Sequence, residues 1–281
     1  MNRQKQLIIV RGGGDIATGT IHRLHRCGYP VLVLETGSPS AIRRQVAFSE
    51  AIYDGQSEIE GVTCLKVSDF AEAKAVLEAG AIPMMMDETC EILKEVRPWA
   101  LVDAILAKKN LGTNRNMADK TIGLGPGFAA GEDVDLVIET MRGHNLKDHF
   151  QGNGPSEYRN SGLIGGAGKE RVIHSPAMGI LFGKVRIGDR VEKGQPVAVI
   201  VTGQGEVVVE ASLTGLVRGL IRDGYPVAKG FKIADIDPRE SEYENCFTIS
   251  DKARAIGGSV LEAFYIWNRN RLLREAHYDL S

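Results

Sequence analysis

The chain has 281 residues, of which 25% are charged and 43% hydrophobic, and its formal net charge is -2. This length suits two compact domains, and the balance is typical of a soluble globular protein. No basic stripe and no long apolar run occurs, so we expect neither a nucleic-acid nor a membrane partner. The four cysteines lack paired spacing, and no metal site is predicted. The polar start contains no signal peptide, which favours a cytoplasmic location.

The first predicted elements are a strand over residues 7–10, a glycine turn and a helix, followed by a second strand over residues 31–34. In a dinucleotide-binding unit, glycines let backbone N–H groups approach a pyrophosphate, and the helix N-terminus adds positive potential. A carboxylate after the second strand accepts the ribose hydroxyls. The pattern predicts a nucleotide site, although a tight turn in a fold that lost its cofactor gives the same sequence. Its residues are Arg11, Gly12, Gly13, Gly14, Asp15, Ile16, Ala17 and Glu35.

The next 100 residues alternate between apolar runs and helical patterns. Helical patterns cover residues 70–79 and 90–96, and further strands are predicted over residues 62–67, 82–86, 100–106, 121–124 and 136–140. Such alternation predicts an α/β domain over residues 1–142, with a Rossmann-like, parallel, doubly wound sheet.

Ligands of such sheets bind beyond the carboxyl ends of the strands, which adds Arg43, Lys108, Lys109, Gly125 and Gly127 as candidates. Arg43 could meet the 2′-phosphate of NADP, whereas Glu35 favours an unphosphorylated ribose. Purely structural roles for these residues also stay open. The three cations can equally be solvated, and the two glycines can simply shape a turn.

The second half of the chain is internally duplicated. A gapless offset aligns glycines 179, 183, 188 and 194 with glycines 215, 219, 224 and 230. This repeat resembles the biotinyl/lipoyl module and predicts an all-β barrel-sandwich hybrid over residues 171–240. Gln204 stands near the place of the carrier lysine, so neither biotin nor lipoate is expected. The glycine-rich residues 143–170 are predicted to be a linker or lid, and residues 241–281 a helical segment that docks on a domain.

Four segments together resemble the YqeB-like accessory proteins, a family associated with selenium-dependent molybdenum hydroxylases. They are residues 11–19, 103–112, 123–142 and 251–263. The resemblance implies that the protein matures or supports a molybdoenzyme. The implied ligand contains a nucleotide, such as the dinucleotide form of molybdenum cofactor, and the implied partner is the hydroxylase. No catalytic residues follow from the resemblance.

Two other functions stay open. One is an NAD(P)-dependent oxidoreductase with an acid or base among Asp103, Lys108, Lys109 and His144. The other is a non-catalytic interaction protein with a relic nucleotide fold. Whether the protein is an enzyme is left undecided, because a cofactor fold alone does not establish chemistry. A homo-oligomer is compatible with the apolar face around Phe264.

Overall fold

A computed structural model describes residues 6–144, 149–150 and 168–278. The lid predicted over residues 143–170 therefore lies mostly outside the described residues. Of that segment the structure describes both ends and a two-residue strand, His149–Phe150. Within the described chain, no helix combines the length and the apolar composition needed to cross a membrane.

The largest element is a nine-stranded sheet, with the order β3-β4-β5-β2-β1-β6-β7-β8-β9. The apolar runs of the sequence form its central strands, which are buried. Neighbouring strands are parallel except at the two edges, where β3 and β9 are antiparallel to their partners. The strands are β1 (Ile8–Arg11), β2 (Val31–Glu35), β3 (Gln56–Ile59), β4 (Val62–Val67), β5 (Ile82–Met86), β6 (Ala100–Asp103), β7 (Lys120–Leu124), β8 (Leu136–Ile138) and β9 (His149–Phe150).

The predicted Rossmann-like, doubly wound parallel sheet is wrong, and the protein has a mixed α/β fold instead. In the dinucleotide fold the third strand lies beside the second. Here the chain passes from β2 to the outer strands β3 and β4 and then returns, so that β5 pairs with β2. No α-helix separates β6 from β7 or β7 from β8. The first strand–turn–helix–strand unit was recognised correctly, but strand order depends on contacts far apart in the chain.

Helices cover both faces of the sheet. The α-helices are α1 (Asp15–Arg26), α2 (Ala51–Asp54), α3 (Phe70–Glu78) and α4 (Asp251–Tyr278). α1 and the predicted C-terminal helix, α4, share one apolar core with the sheet, while α3 packs in the core on the other face. The helix expected over residues 90–96 is only a 3₁₀ turn, Glu91–Lys94.

Glycines let α1 and α4 approach each other closely. A Cβ atom on Gly257 would lie 2.5 Å from the carbonyl oxygen of Gly19, and one on Gly19 would overlap the carbonyl of Ala253. Both contacts lie near the start of each helix. The first two turns of α1 and of α4 are therefore neighbours.

The second unit consists of two four-stranded antiparallel sheets around one apolar core. Their orders are β10-β17-β15-β12 and β14-β13-β11-β16. The strands are β10 (Val172–His174), β11 (Gly179–Gly183), β12 (Arg190–Val191), β13 (Pro196–Thr202), β14 (Gly205–Glu210), β15 (Gly215–Leu220), β16 (Tyr225–Val227) and β17 (Lys232–Asp237).

The sequence repeat appears in this unit as an exchange of strands. β12 of the first half pairs with β15 of the second, and β16 of the second pairs with β11 of the first. A Cβ atom on Gly179 would overlap the carbonyl of Val201, and one on Gly215 would overlap the equivalent carbonyl of Asp237. The matched glycines therefore permit matched close approaches.

The predicted barrel-sandwich hybrid of the biotinyl/lipoyl type is nevertheless wrong. The eight strands form two separate sheets that share no backbone ladder, so the repeat indicated the strand pattern but not the architecture. Gln204 lies in the short, exposed turn between β13 and β14, as the sequence indicated.

Candidate functional site

The carboxyl ends of the parallel strands bring most of the predicted site residues to one edge of the large sheet. A Cβ atom on Gly12, after β1, would lie 3.1 Å from the carbonyl oxygen of Ala104, after β6. A Cβ atom on Gly127, after β7, would lie 2.6 Å from the Cα of Lys109. The loops that follow β1, β6 and β7 are therefore in direct contact.

A buried polar cluster fixes two of these loops. Arg11 Nη1 lies 3.4 Å from the Asp103 carboxylate and donates a 2.5 Å hydrogen bond to the Thr113 hydroxyl, which donates to Asp103 at 2.6 Å. Arg11 also donates to the carbonyl of Glu88 at 3.0 Å. Burial raises the pKa of Asp103, against the effect of these donors. Because every member is satisfied internally, the cluster orients the loops.

Glu35 has a different role from the predicted one. Its carboxylate accepts the backbone N–H of Gly13 at 2.7 Å and that of Thr36 at 2.8 Å. Burial raises the pKa of Glu35, and the two N–H donors oppose that rise. This arrangement differs from the expected contact with ribose hydroxyls, because Oε2 holds the glycine turn through Gly13 and Oε1 accepts the N–H of Thr36.

The three glycines of the turn also differ from one another. The Cα of Gly12 packs against the backbone after β6, and a Cβ atom on Gly13 would lie 2.6 Å from Met84 Cε. The backbone N–H of Gly12 donates to the carbonyl of Leu34 and that of Gly13 to Glu35, so the protein itself binds these two N–H groups, which were expected to face a pyrophosphate. Gly14 has open space around it and forms the N-cap of α1 without a side-chain cap.

The next residues form the first turn of α1. Asp15 is partly exposed, whereas Ile16 and Ala17 are buried in the core, so these two can offer a ligand only their backbone. Arg43 reaches the same turn, with Nη1 3.6 Å from the Asp15 carboxylate.

Arg43 does not lie open to a phosphate. Its side chain is buried and donates to the carbonyls of Asn245 and Thr248 at 3.1 and 3.2 Å. Burial lowers the pKa of this guanidinium, although Asp15 opposes the effect. The expected contact with a 2′-phosphate is corrected, because Arg43 connects α1 to the segment before α4.

Lys108 and Lys109 remain as exposed cations at this edge. Leu106 and Lys108 have positive φ angles of 59° and 60°. Side chains other than glycine adopt this conformation at a cost, and such residues cluster at functional sites. The contact of Gly127 with the backbone of Lys109 fixes the loop there.

The structure adds residues that sequence patterns did not indicate. Arg142 donates two hydrogen bonds to Asp251, the first residue of α4, at 2.7 and 2.8 Å. Lys252 is partly buried nearby, and burial lowers its pKa against the attraction of Asp15 and Glu139. Two helix starts and two further cations thus lie at this edge. Arg142 follows β8 and reaches this edge as Lys108 does after β6, whereas only the packing of α4 on α1 brings Lys252 there, so no local signal could have found Lys252.

The groups proposed for acid–base chemistry do not form a catalytic set in the described chain. Asp103 is bonded within the buried cluster, whereas Lys108, Lys109 and His144 are exposed. Burial raises the pKa of the nearby Cys90 thiol to about 11, which favours the neutral thiol over the thiolate at neutral pH. No three His, Cys, Asp or Glu side chains among the described residues could hold a metal ion together.

Fold and site define a two-unit α/β protein whose large sheet has a glycine-rich edge with two exposed lysines. Over 261 residues the chain is 49% identical to the protein YqeB of Escherichia coli (strain K12), which is described as uncharacterized. This supports the expected relationship to YqeB-like proteins over the matched region. The match takes in 92% of this chain but 47% of YqeB, so the chain spans about half the length of that relative. No family model matches the chain.

One similar solved structure is the product-bound ectoine utilization protein EutE (DoeB) from Ruegeria pomeroyi. It is 14% identical, the match covers 82% of this chain and 56% of that protein, and the TM-score is 0.23. A succinylglutamate desuccinylase from a Silicibacter species has 12% identity, coverages of 83% and 85%, and a TM-score of 0.26. An aspartoacylase family protein from Mesorhizobium loti has 12% identity, coverages of 84% and 86%, and a TM-score of 0.28.

Proposed function

We propose that this protein is an accessory or maturation factor of a selenium-dependent molybdenum hydroxylase system, and that it binds a nucleotide-containing ligand at the carboxyl edge of its large sheet. The observation that carries the ligand site is the contact between Gly127 and the backbone of Lys109. It holds two exposed lysines in place on the loop after β6, and the start of this loop contacts Gly12. The role in the hydroxylase system rests on the resemblance to YqeB-like proteins.

The proposed ligand contact involves a smaller set of residues than the sequence indicated. Gly14 and the uncapped first turn of α1 offer backbone N–H groups, which favour phosphate oxygens. Lys108 and Lys109 add positive charge from the neighbouring loop. Gly12, Gly13, Glu35 and the Arg11 cluster would hold the geometry of the turn without touching the ligand.

A phosphate-containing ligand fits this chemistry better than a neutral one. Helix N-termini and lysine side chains both stabilise anions, and the effect is strongest where water is partly excluded. The start of α4, with Arg142 and Lys252, lies beside the start of α1. The dinucleotide form of molybdenum cofactor carries the required pyrophosphate.

The NAD(P)-dependent oxidoreductase remains a separate hypothesis, but Glu35 and Arg43 no longer support it. In the structure both bind protein backbone groups instead of facing a free ribose. A non-catalytic interaction protein is the third hypothesis. It differs from the other two because it requires no small ligand.

Calorimetric titration distinguishes these hypotheses. Wild-type protein is titrated with inorganic pyrophosphate, NADH, NADPH and molybdenum cofactor in its dinucleotide form. We expect the molybdenum cofactor to bind most tightly and the isolated pyrophosphate weakly. Tight binding of NADH or NADPH alone would favour the oxidoreductase, and failure of all four to bind would remove the ligand-binding proposal.

The client role needs its own experiment. The protein is immobilised and exposed to a purified selenium-dependent molybdenum hydroxylase with and without its cofactor. We expect stable association, with preference for the cofactor-free client because that form is the one to be matured. Absence of association with either form would remove this part of the proposal even if a ligand binds.

A further inference from the structure

The outer face of the sheet β14-β13-β11-β16 carries an exposed apolar patch. Ile180 lies opposite Val201, and Phe182 lies opposite Val199, which in turn faces Val208. Paired residues share a face of a sheet, so these five side chains form one surface. Four of them are 38–51% exposed, and Val199 is buried between its neighbours. We call this surface the outer patch.

β14 forms an edge of that sheet. It pairs with β13 and, among the described residues, with no other strand. Every second residue of an edge strand directs its N–H and C=O groups away from the sheet, where another strand can bind them. An apolar patch that reaches such an edge offers both backbone and side-chain contacts to an added strand.

Two glutamates restrict which strands can pair with the edge of β14. Glu206 and Glu210 lie two residues on either side of Val208, on the same face of the strand, and both are exposed. Neither forms an ion pair within the described part of the chain. If a second copy paired antiparallel about Val208, Glu206 of each copy would face Glu210 of the other. Like charges in directly opposite positions are destabilising.

We propose that the β14 edge binds an extended segment of a partner protein as an added antiparallel strand. The segment has an apolar residue opposite Val208 and a lysine or arginine two residues to either side, opposite Glu206 and Glu210. The apolar residue extends the row formed by Phe182, Val199 and Val208. This surface belongs to the second unit alone, so it does not rest on the ligand site proposed above.

The test uses the full chain and fluorescein-labelled peptides. One peptide is Thr-Thr-Lys-Thr-Ile-Thr-Lys-Thr-Thr, and a matched peptide has glutamate in place of both lysines. Fluorescence anisotropy should show the lysine peptide binding about tenfold more tightly, because two attractive pairs replace two repulsive pairs. A scrambled lysine peptide, with the two lysines adjacent, should lose most of this preference.

Charge reversal on the protein gives the decisive comparison. The variant Glu206→Lys/Glu210→Lys should prefer the glutamate peptide. The control Glu58→Lys/Glu262→Lys changes the net charge equally at two exposed positions outside this sheet and should keep the wild-type preference. Equal binding of both peptides, or reversal in both variants, would overturn the proposal. So would a homodimer, detected by sedimentation, that Val208→Asp dissociates.

Discussion

The backbone N–H of Gly13 donates a 2.7 Å hydrogen bond to the carboxylate of Glu35 across the carboxyl ends of β1 and β2. The two residues that look most like a nucleotide site in the sequence thus bind each other. The protein itself therefore holds the glycine turn in its conformation. The part of the edge that stays accessible to a ligand consists of Gly14 and the loop of Lys108 and Lys109.

The close approach of α1 and α4 predicts opposite effects for two adjacent glycines. Gly257→Ala places a Cβ atom 2.5 Å from the carbonyl oxygen of Gly19 and should lower the free energy of unfolding by about 1–3 kcal/mol. Gly258→Ala meets nothing within 4 Å and should raise it by about 0.5–1 kcal/mol. Urea denaturation of both variants measures the difference. Equal effects would show that the two helices are not in contact.

The repeat predicts that equivalent glycines respond alike. Gly179→Ala and Gly215→Ala each place a Cβ atom against a carbonyl of the neighbouring strand and should each destabilise the protein by about 1–3 kcal/mol. Gly203→Ala, at the exposed β13–β14 turn, has open space and is the control. Thermal unfolding checks the three. A large loss at only one of the equivalent positions would contradict the structural repeat.

Arg222 connects the two units. Its replacement should lower the stability more than replacement of Arg186, its counterpart in the repeat. It donates to Asp54 and to Glu50 and lies 4.7 Å from the centre of the Tyr53 ring. Arg222→Ala removes an ion-pair partner of the buried Glu50 and should lower the free energy of unfolding by about 1–2 kcal/mol. The loss stays in this range because Arg222 itself is partly exposed.

The matched control is Arg186→Ala, at the equivalent position of the first half. Arg186 is exposed, and its side chain makes no ion pair within the described residues, so the change should stay within about 0.5 kcal/mol. Hydrogen exchange around residues 50–54 should accelerate in the Arg222 variant alone. Acceleration in both variants would contradict the proposed contact.

The start of α4 predicts a pH dependence. Hydrogen bonds from Arg142 lower the pKa of Asp251 to about 2, below its ordinary value of 3.8. A carboxylate with a lowered pKa in the folded state stabilises the protein above its unfolded pKa, and this stabilisation is lost as the pH falls through the folded value. Asp251→Asn should therefore lower the melting temperature at pH 7 and approach the wild type near pH 2. The effect is small, about 1 kcal/mol or less, because Asp251 is exposed. A constant difference across this range would contradict it.

Local elements were predictable from the sequence, and their arrangement was not. The strands at Val62–Val67 and Ile82–Met86 were placed with correct bounds, because apolar runs between turns define them. The place of β5 beside β2, and the division of the second unit into two sheets, depend on contacts between distant segments. For the same reason Lys252 had no signal in the sequence.

The sequence predicted where the candidate side chains lie more reliably than it predicted which groups they bind. Lys108 and Lys109 lie exposed at the expected edge, whereas Arg43 is directed to the backbone of Asn245 and Thr248. A sequence pattern indicates that an arginine follows a strand. It does not indicate that a later segment will cover the arginine.

The ligand site is tested most directly by native mass spectrometry of the intact protein, purified without added ligand. We expect a phosphate-containing molecule bound to the wild type and lost from Lys108→Ala/Lys109→Ala. It should be retained by the control Lys193→Ala/Lys229→Ala, which removes two exposed lysines from the second unit. A ligand that persists in the Lys108/Lys109 variant, or a wild type that carries and binds no phosphate-containing molecule, would contradict the proposed ligand site.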